Sequence, residues 1–145
     1  MTRTAARKLA VQLCFAESAG GDIPVEEILT QDYIDGLPAG EEAIGEIPDE
    51  QQLAYIHTLV NGTAEKREEL DGIISEFSRG WKINRISKTA LAVLRCAIYE
   101  IKYMPDIPVS VAINEAIELC KEFDDTETVS FVNGILGSFT RSEEK

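Results

Sequence analysis

Between Asp49 and Phe77 the positions Leu53, Ile56, Val60, Ala64, Arg67, Leu70, Ile74 and Phe77 step by three or four residues without losing phase. A helix brings residues at that spacing onto one face, so this stretch demands an amphipathic helix and a partner surface to cover it. The phase runs through Asn61-Gly62, which predicts one continuous helix. Gly62 would then be a close-packing point, at about 1 kcal/mol of propensity cost relative to Ala. Arg67, on the stripe, is expected to lay its aliphatic stem over the core and keep its head in water.

The same period governs the rest of the chain. Residues 4–19 form a first helix with Leu9, Leu13 and Ala16 on one stripe and Val11 and Phe15 beside it, stopped by Gly20-Gly21. Pro24 opens a shorter helix to about Ile34, and residues 35–48, with three Gly and two Pro among acids, read as a long surface connection. Ser87 is a good N-cap for a helix with Leu91, Leu94, Ile98 and Ile101 inward, closed at about Tyr103 by "MPDIP". Pro108 starts the next, with a stripe of Val109, Ala112, Ile113, Ala116, Ile117 and Cys120. Asp124 to Glu127 has capping-box spacing, and the last helix buries Phe131, Val132, Ile135, Leu136 and Phe139. No alternating apolar run or hairpin turn competes, so the fold class is all-α with about seven helices.

Charge is distributed unevenly. The net charge of −12 would by itself argue against a polyanionic partner. Residues 1–16, however, carry Arg3, Arg7 and Lys8 and no acid, while residues 17–57 hold eleven acids and no Lys or Arg. Farther on, Arg79, Lys82, Arg85, Lys88, Arg95 and Lys102 are offset only by Glu100. Local potential, not net charge, steers a polyanion, so the two basic islands are candidate contact surfaces. The alternative is that each is a solvated face balancing nearby acids.

Catalytic chemistry is not legible. His57, the one histidine, lies beside the apolar seam with no carboxylate or cysteine at ligand spacing, and reads as a packing or surface residue. Phosphate-cradling glycine loops and a nucleophile turn are absent from the sequence, which argues against an enzyme. Cys14, Cys96 and Cys120 are odd in number and set in apolar helical patterns, as expected of reduced core cysteines in a cytoplasmic protein. No run approaches the ~20 apolar residues of a membrane span, and Gln12, Glu17 and Ser18 cut short the signal-peptide-like start. What remains is binding. Arg3 and Arg7 share a helix face at a positive helix terminus, suited to phosphate, and Phe15, Phe123 and Phe131 are candidates for base stacking or for the core.

The segments "LRCAIYEI" (94–101), "DIPVSVAINEAIELCKEF" (106–123) and "SFVNGIL" (130–136) resemble the NusB family of bacterial transcription antitermination factors. Upstream, "ARKLAVQLCF", "LVNGT" and "LDGIISEFSRGWKINRIS" extend the likeness to nearly the whole chain, apart from about residues 36–48. The resemblance implies a single RNA-binding domain over residues 1–145. It would comprise two three-helix-bundle subdomains, N-terminal to about residue 78 and C-terminal from 79 to about 140. It implies no catalysis, cofactor or metal. The expected partners are single-stranded boxA RNA, the small-subunit ribosomal protein NusE, and the RNA polymerase antitermination complex, notably on ribosomal RNA operons.

By the same resemblance Arg3, Arg7, Phe15, Phe123, Glu127 and Phe131 fall at RNA-contacting positions, with Lys8 and Lys121 as neighbouring cations. Thr4 and Ala5 stand where a denser basic run is common, implying a sparser phosphate contact. Arg79, Lys82, Arg85, Lys88 and Arg95 fall where NusE contact is expected. Asn114, Glu115, Asn133 and Gly134 read as architectural, holding the last two helices together. Two other readings stay open. One is a homodimeric interaction module with its RNA face covered, which light scattering with and without RNA distinguishes. The other is the RNA-recruiting domain of a ribosomal RNA methyltransferase, against which the lack of a cofactor-binding glycine loop argues.

Overall fold

Thr2 begins the first helix by accepting the Ala5 amide on its hydroxyl at 3.0 Å and the Ala6 amide on its carbonyl at 3.0 Å. In this computed structural model the described residues are 2–20, 49–78, 86–123 and 126–143, with backbone alone for residues 17–20. They form six helices and no strand: α1 (Arg3–Gly20), α2 (Glu50–Glu65), α3 (Arg67–Phe77), α4 (Lys88–Tyr103), α5 (Val109–Phe123) and α6 (Thr126–Glu143). The short helix expected after Pro24, the acidic connection, and the Asp124 half of the expected capping box lie outside the described residues.

The described chain divides into two compact units, 1–65 and 66–145. In the first, α1 packs against α2 through Leu9, Leu13, Ile56 and Leu59, all at most 1 % exposed. Each such side chain contributes about 1.5–3 kcal/mol by leaving water. Cys14 Sγ and Thr63 Oγ1 meet at 3.2 Å across this seam, and the Thr63 hydroxyl also donates to the Val60 carbonyl. Gly62 is buried, as its place in the apolar phase suggested. The entry to α2 is a reciprocal capping box: Asp49 Oδ1 accepts the Gln52 amide at 2.8 Å, and Gln52 Oε1 accepts the Asp49 amide at 3.0 Å.

The single long helix expected from Asp49 to Phe77 is in fact two. Lys66 adopts φ −99° and ψ 17°, a turn conformation without a side-chain cap, and the helix restarts at Arg67. Hydrophobic phase could not reveal this break, because one turn residue barely shifts the spacing along the sequence, and Ile56, Val60, Leu70 and Ile74 are all buried. The restart places Glu68 and Glu69 in a first turn, where the helix dipole favours negative charge. The units therefore part at residue 65 rather than near 78, and α3 joins the C-terminal unit.

In that second unit α4, α5 and α6 pack mutually as three helices, with α3 laid against α4 and α6. Ser87 caps α4 as expected, its hydroxyl accepting the Ala90 amide at 3.1 Å. Leu94, Ile98, Ile135, Leu136 and Phe139 fill the core, and Phe77 meets Phe139 edge-on at 6.1 Å between ring centroids. Pro105 follows the end of α4, where the Met104 amide bonds back to the Glu100 carbonyl. The three cysteines are buried, and none is in a disulfide.

Candidate nucleic-acid interface

Arginine at position 3 sits in the first turn of α1 with its side chain exposed. Its guanidinium carbon stands 4.6 Å from the centroid of the Tyr55 ring on α2, within cation–π range. Arg7 also lies over that ring, at 5.6 Å. Arg7 is only 4 % exposed, which overturns the expectation that the two arginines share a solvent face. A four-residue step on α1 rotates Arg7 toward the seam beside Ala6 and Ala10, where its stem packs and its head meets Tyr55. Lys8 is half-buried, and Phe15 is 37 % exposed, the largest apolar side chain that α1 leaves open. Among its described residues, α1 thus offers one open cation, one partly open cation and one open aromatic.

In the second unit, Phe123 ends α5 at 43 % exposure and is an open aromatic. Lys121 is exposed, and its ammonium donates to Glu118 one turn back at 3.2 Å, so its charge is partly offset. Glu127 lies exposed in the first turn of α6. Phe131 is half-buried and forms part of a groove of about 410 Å³ with Phe77, Ser78, Gly134, Ile135, Ser138 and Arg141.

That groove corrects the architectural reading of Asn133-Gly134. Both residues are exposed, and a Cβ built on Gly134 would meet nothing within 4 Å. Gly134 therefore brings no helix closer; it leaves the groove floor bare beside Phe131. Arg141 closes one end, donating to the Ser138 hydroxyl at 3.3 Å. Two aromatic rings, two hydroxyls and a cation around an open slot suit a planar base with its attached phosphate. Sequence reasoning found Phe131 and missed Phe77, Ser138 and Arg141. Phe131, Ser138 and Arg141 lie seven and three residues apart on one helix, a spacing that could have grouped them.

Of the residues expected to meet a protein partner, Arg79, Lys82 and Arg85 lie outside the described residues. Lys88 is exposed in the first turn of α4. Arg95 is not a free surface cation. Its Nε and Nη2 donate to the two carboxylate oxygens of Asp71 at 2.7 and 2.9 Å, with the Arg95 side chain 12 % exposed, tying α3 to α4. A second tie joins the same helices: Tyr103 donates its hydroxyl to Glu69, and Lys102 pairs with Glu69 at 3.1 Å. The hydrogen bond to Glu69 pushes the Tyr103 phenol up to about 12, and the same bond, with Lys102, holds Glu69 below its ordinary value. Glu100, the one acid set against the second basic island, is 1 % exposed.

A family model described as the NusB family matches residues 4–141. The chain is 39 % identical over 143 residues to the transcription antitermination protein NusB of Alkaliphilus oremlandii, covering 99 % of this chain and 96 % of that protein. Among solved structures, T. maritima NusB superposes with a TM-score of 0.80 at 28 % identity, covering 97 % of this chain and 92 % of that one. NusB in a crystal structure of antitermination factors NusB and NusE with double-stranded RNA shares the fold, with a TM-score of 0.76 at 22 % identity over 97 % and 96 % of the two chains.

Proposed function

The chain belongs to the NusB family, and from that premise we propose that it is an antitermination factor that binds boxA-type single-stranded RNA together with NusE and joins the RNA polymerase antitermination complex, notably on ribosomal RNA operons. The observation that carries the reading is the exposed Arg3 in the first turn of an α1 whose preceding and following residues to Ala16 contain no acid. Arg3 and Lys8 take phosphates there, helped by the positive end of the helix dipole. Phe15, Phe123 and the Phe77–Phe131 groove offer faces on which splayed bases stack.

The cation count is small, which makes a partner necessary for tight binding. NusE supplies the missing contacts, and Lys88, exposed in the first turn of α4, is the described residue assigned to it. The NusB–NusE assembly with RNA among the fold neighbours supports that pairing, although the RNA there is double-stranded. A gel-shift comparison tests the reading. Single-stranded boxA-type RNA should be retained by the chain and more tightly by the chain with NusE, whereas a duplex of the same sequence should compete poorly. Equal retention of single-stranded and duplex RNA would contradict the role given to stacked bases.

A further inference from the structure

We propose that Tyr55 is a positioning residue for RNA binding, its ring holding the Arg3 guanidinium in the orientation that meets a phosphate; this rests on the RNA-binding reading above. Tyr55 lies on α2, is 4 % exposed, and carries the guanidiniums of both Arg3 and Arg7 over its ring at 4.6 and 5.6 Å. A ring so buried cannot swing, so it presents a fixed negative face to α1. Arg3 has no ion pair among the described residues, and an exposed Arg side chain would otherwise spread over many rotamers. Stacking restricts it in advance, so less entropy is lost when the guanidinium forks onto a phosphate.

Arg7 is buried against the same ring. Lysine at position 3 would not reproduce the stacking of Arg3, because an ammonium lacks the planar surface that stacks. Tyr55 touches no RNA in this scheme; it acts through Arg3.

The experiment replaces Tyr55 with Phe and with phenylalanines carrying progressively more fluorine, which keep the ring's shape while draining its negative face. Each is made with Arg3 and with Arg3→Ala, and affinity for a fluorescein-labelled boxA-type single-stranded RNA is read by anisotropy, with melting followed in parallel. Tyr55→Phe should bind like the parent, and the most fluorinated ring should bind about two- to five-fold more weakly at unchanged melting. In the Arg3→Ala background the series should be flat. Weakening by Arg3→Ala alongside a flat series in the Arg3 background would overturn the role of Tyr55 while leaving RNA binding by Arg3 intact. An Arg3→Ala chain that binds as tightly as the parent would overturn both.

Discussion

Arg95 on α4 grips Asp71 on α3 with two parallel hydrogen bonds of 2.7 and 2.9 Å, in a site that leaves the arginine side chain 12 % exposed. Such a fork fixes both distance and rotation between two helices, and its hydrogen bonds are charge-assisted. The helix α3 that it holds supplies Phe77 to the groove. A contact that a charge count would assign to a partner surface is thus part of what builds the candidate base site.

Asp71→Ala should cost about 1–3 kcal/mol in urea unfolding, because it strands a half-buried guanidinium. Asp71→Ala with Arg95→Ala should be destabilised by less than the sum of the two single changes. Strict additivity would show that the pair contributes no coupling.

Arg3 and Arg7 should separate cleanly. Arg3→Ala is expected to weaken RNA binding several-fold and leave the melting temperature unchanged, since the side chain is exposed. Arg7→Ala removes a side chain 4 % exposed and should lower stability by about 1–3 kcal/mol in urea unfolding. Identical stability for the two variants would show that the burial of Arg7 has no energetic consequence.

How far the sequence led can be judged on these residues. Helix class, the Ser87 cap and the core stripe from Leu94 to Ile98 were all legible, because burial and capping are written in local period and residue type. The break at Lys66 was not, since a single turn residue barely shifts the hydrophobic phase. Nor was the burial of Arg7, because the residue's charge said surface while its position on α1, beside Ala6 and Ala10, turned it inward. Phe131 was found, but the groove around it depends on Phe77, fifty-odd residues away, and on an empty space over Gly134 that no spacing encodes.

The aromatic positions give a third outcome. Phe131→Ala and Phe123→Ala should each weaken RNA binding by about 1–3 kcal/mol if a base stacks there. Phe123, at 43 % exposure, should show this without a drop in melting temperature. Glu127→Gln removes an exposed negative charge while keeping shape, and should tighten binding modestly. Anisotropy and melting on the same three variants decide the matter: unchanged RNA affinity in both Phe variants would remove stacking from the account.

The Tyr103–Glu69 contact predicts a pH dependence at both ends. Tyr103 titrates higher in the fold than the ordinary 10, so its contribution is complete below about 10 and is lost as pH rises through about 12. Glu69 titrates below 4.5, so its contribution is present above 4.5 and is lost as pH falls through the depressed value. In Glu69→Ala the Tyr103 ring resonances, followed by NMR, should titrate nearer 10. A Tyr103 midpoint that does not move would mean that Glu69 is not its acceptor in solution.

Salt dependence of RNA binding, with and without NusE, tests the central claim most directly. With Arg3, Lys8 and Arg141 on phosphate, the slope of log K against log salt for the chain alone should be near −2, at ~0.7 per contact for single strands, and Arg3→Ala should reduce its magnitude by about 0.7. Saturating NusE should raise RNA affinity, and linkage requires RNA to tighten NusE binding by the same factor. A slope indistinguishable from zero, or an RNA affinity indifferent to NusE, would contradict the account.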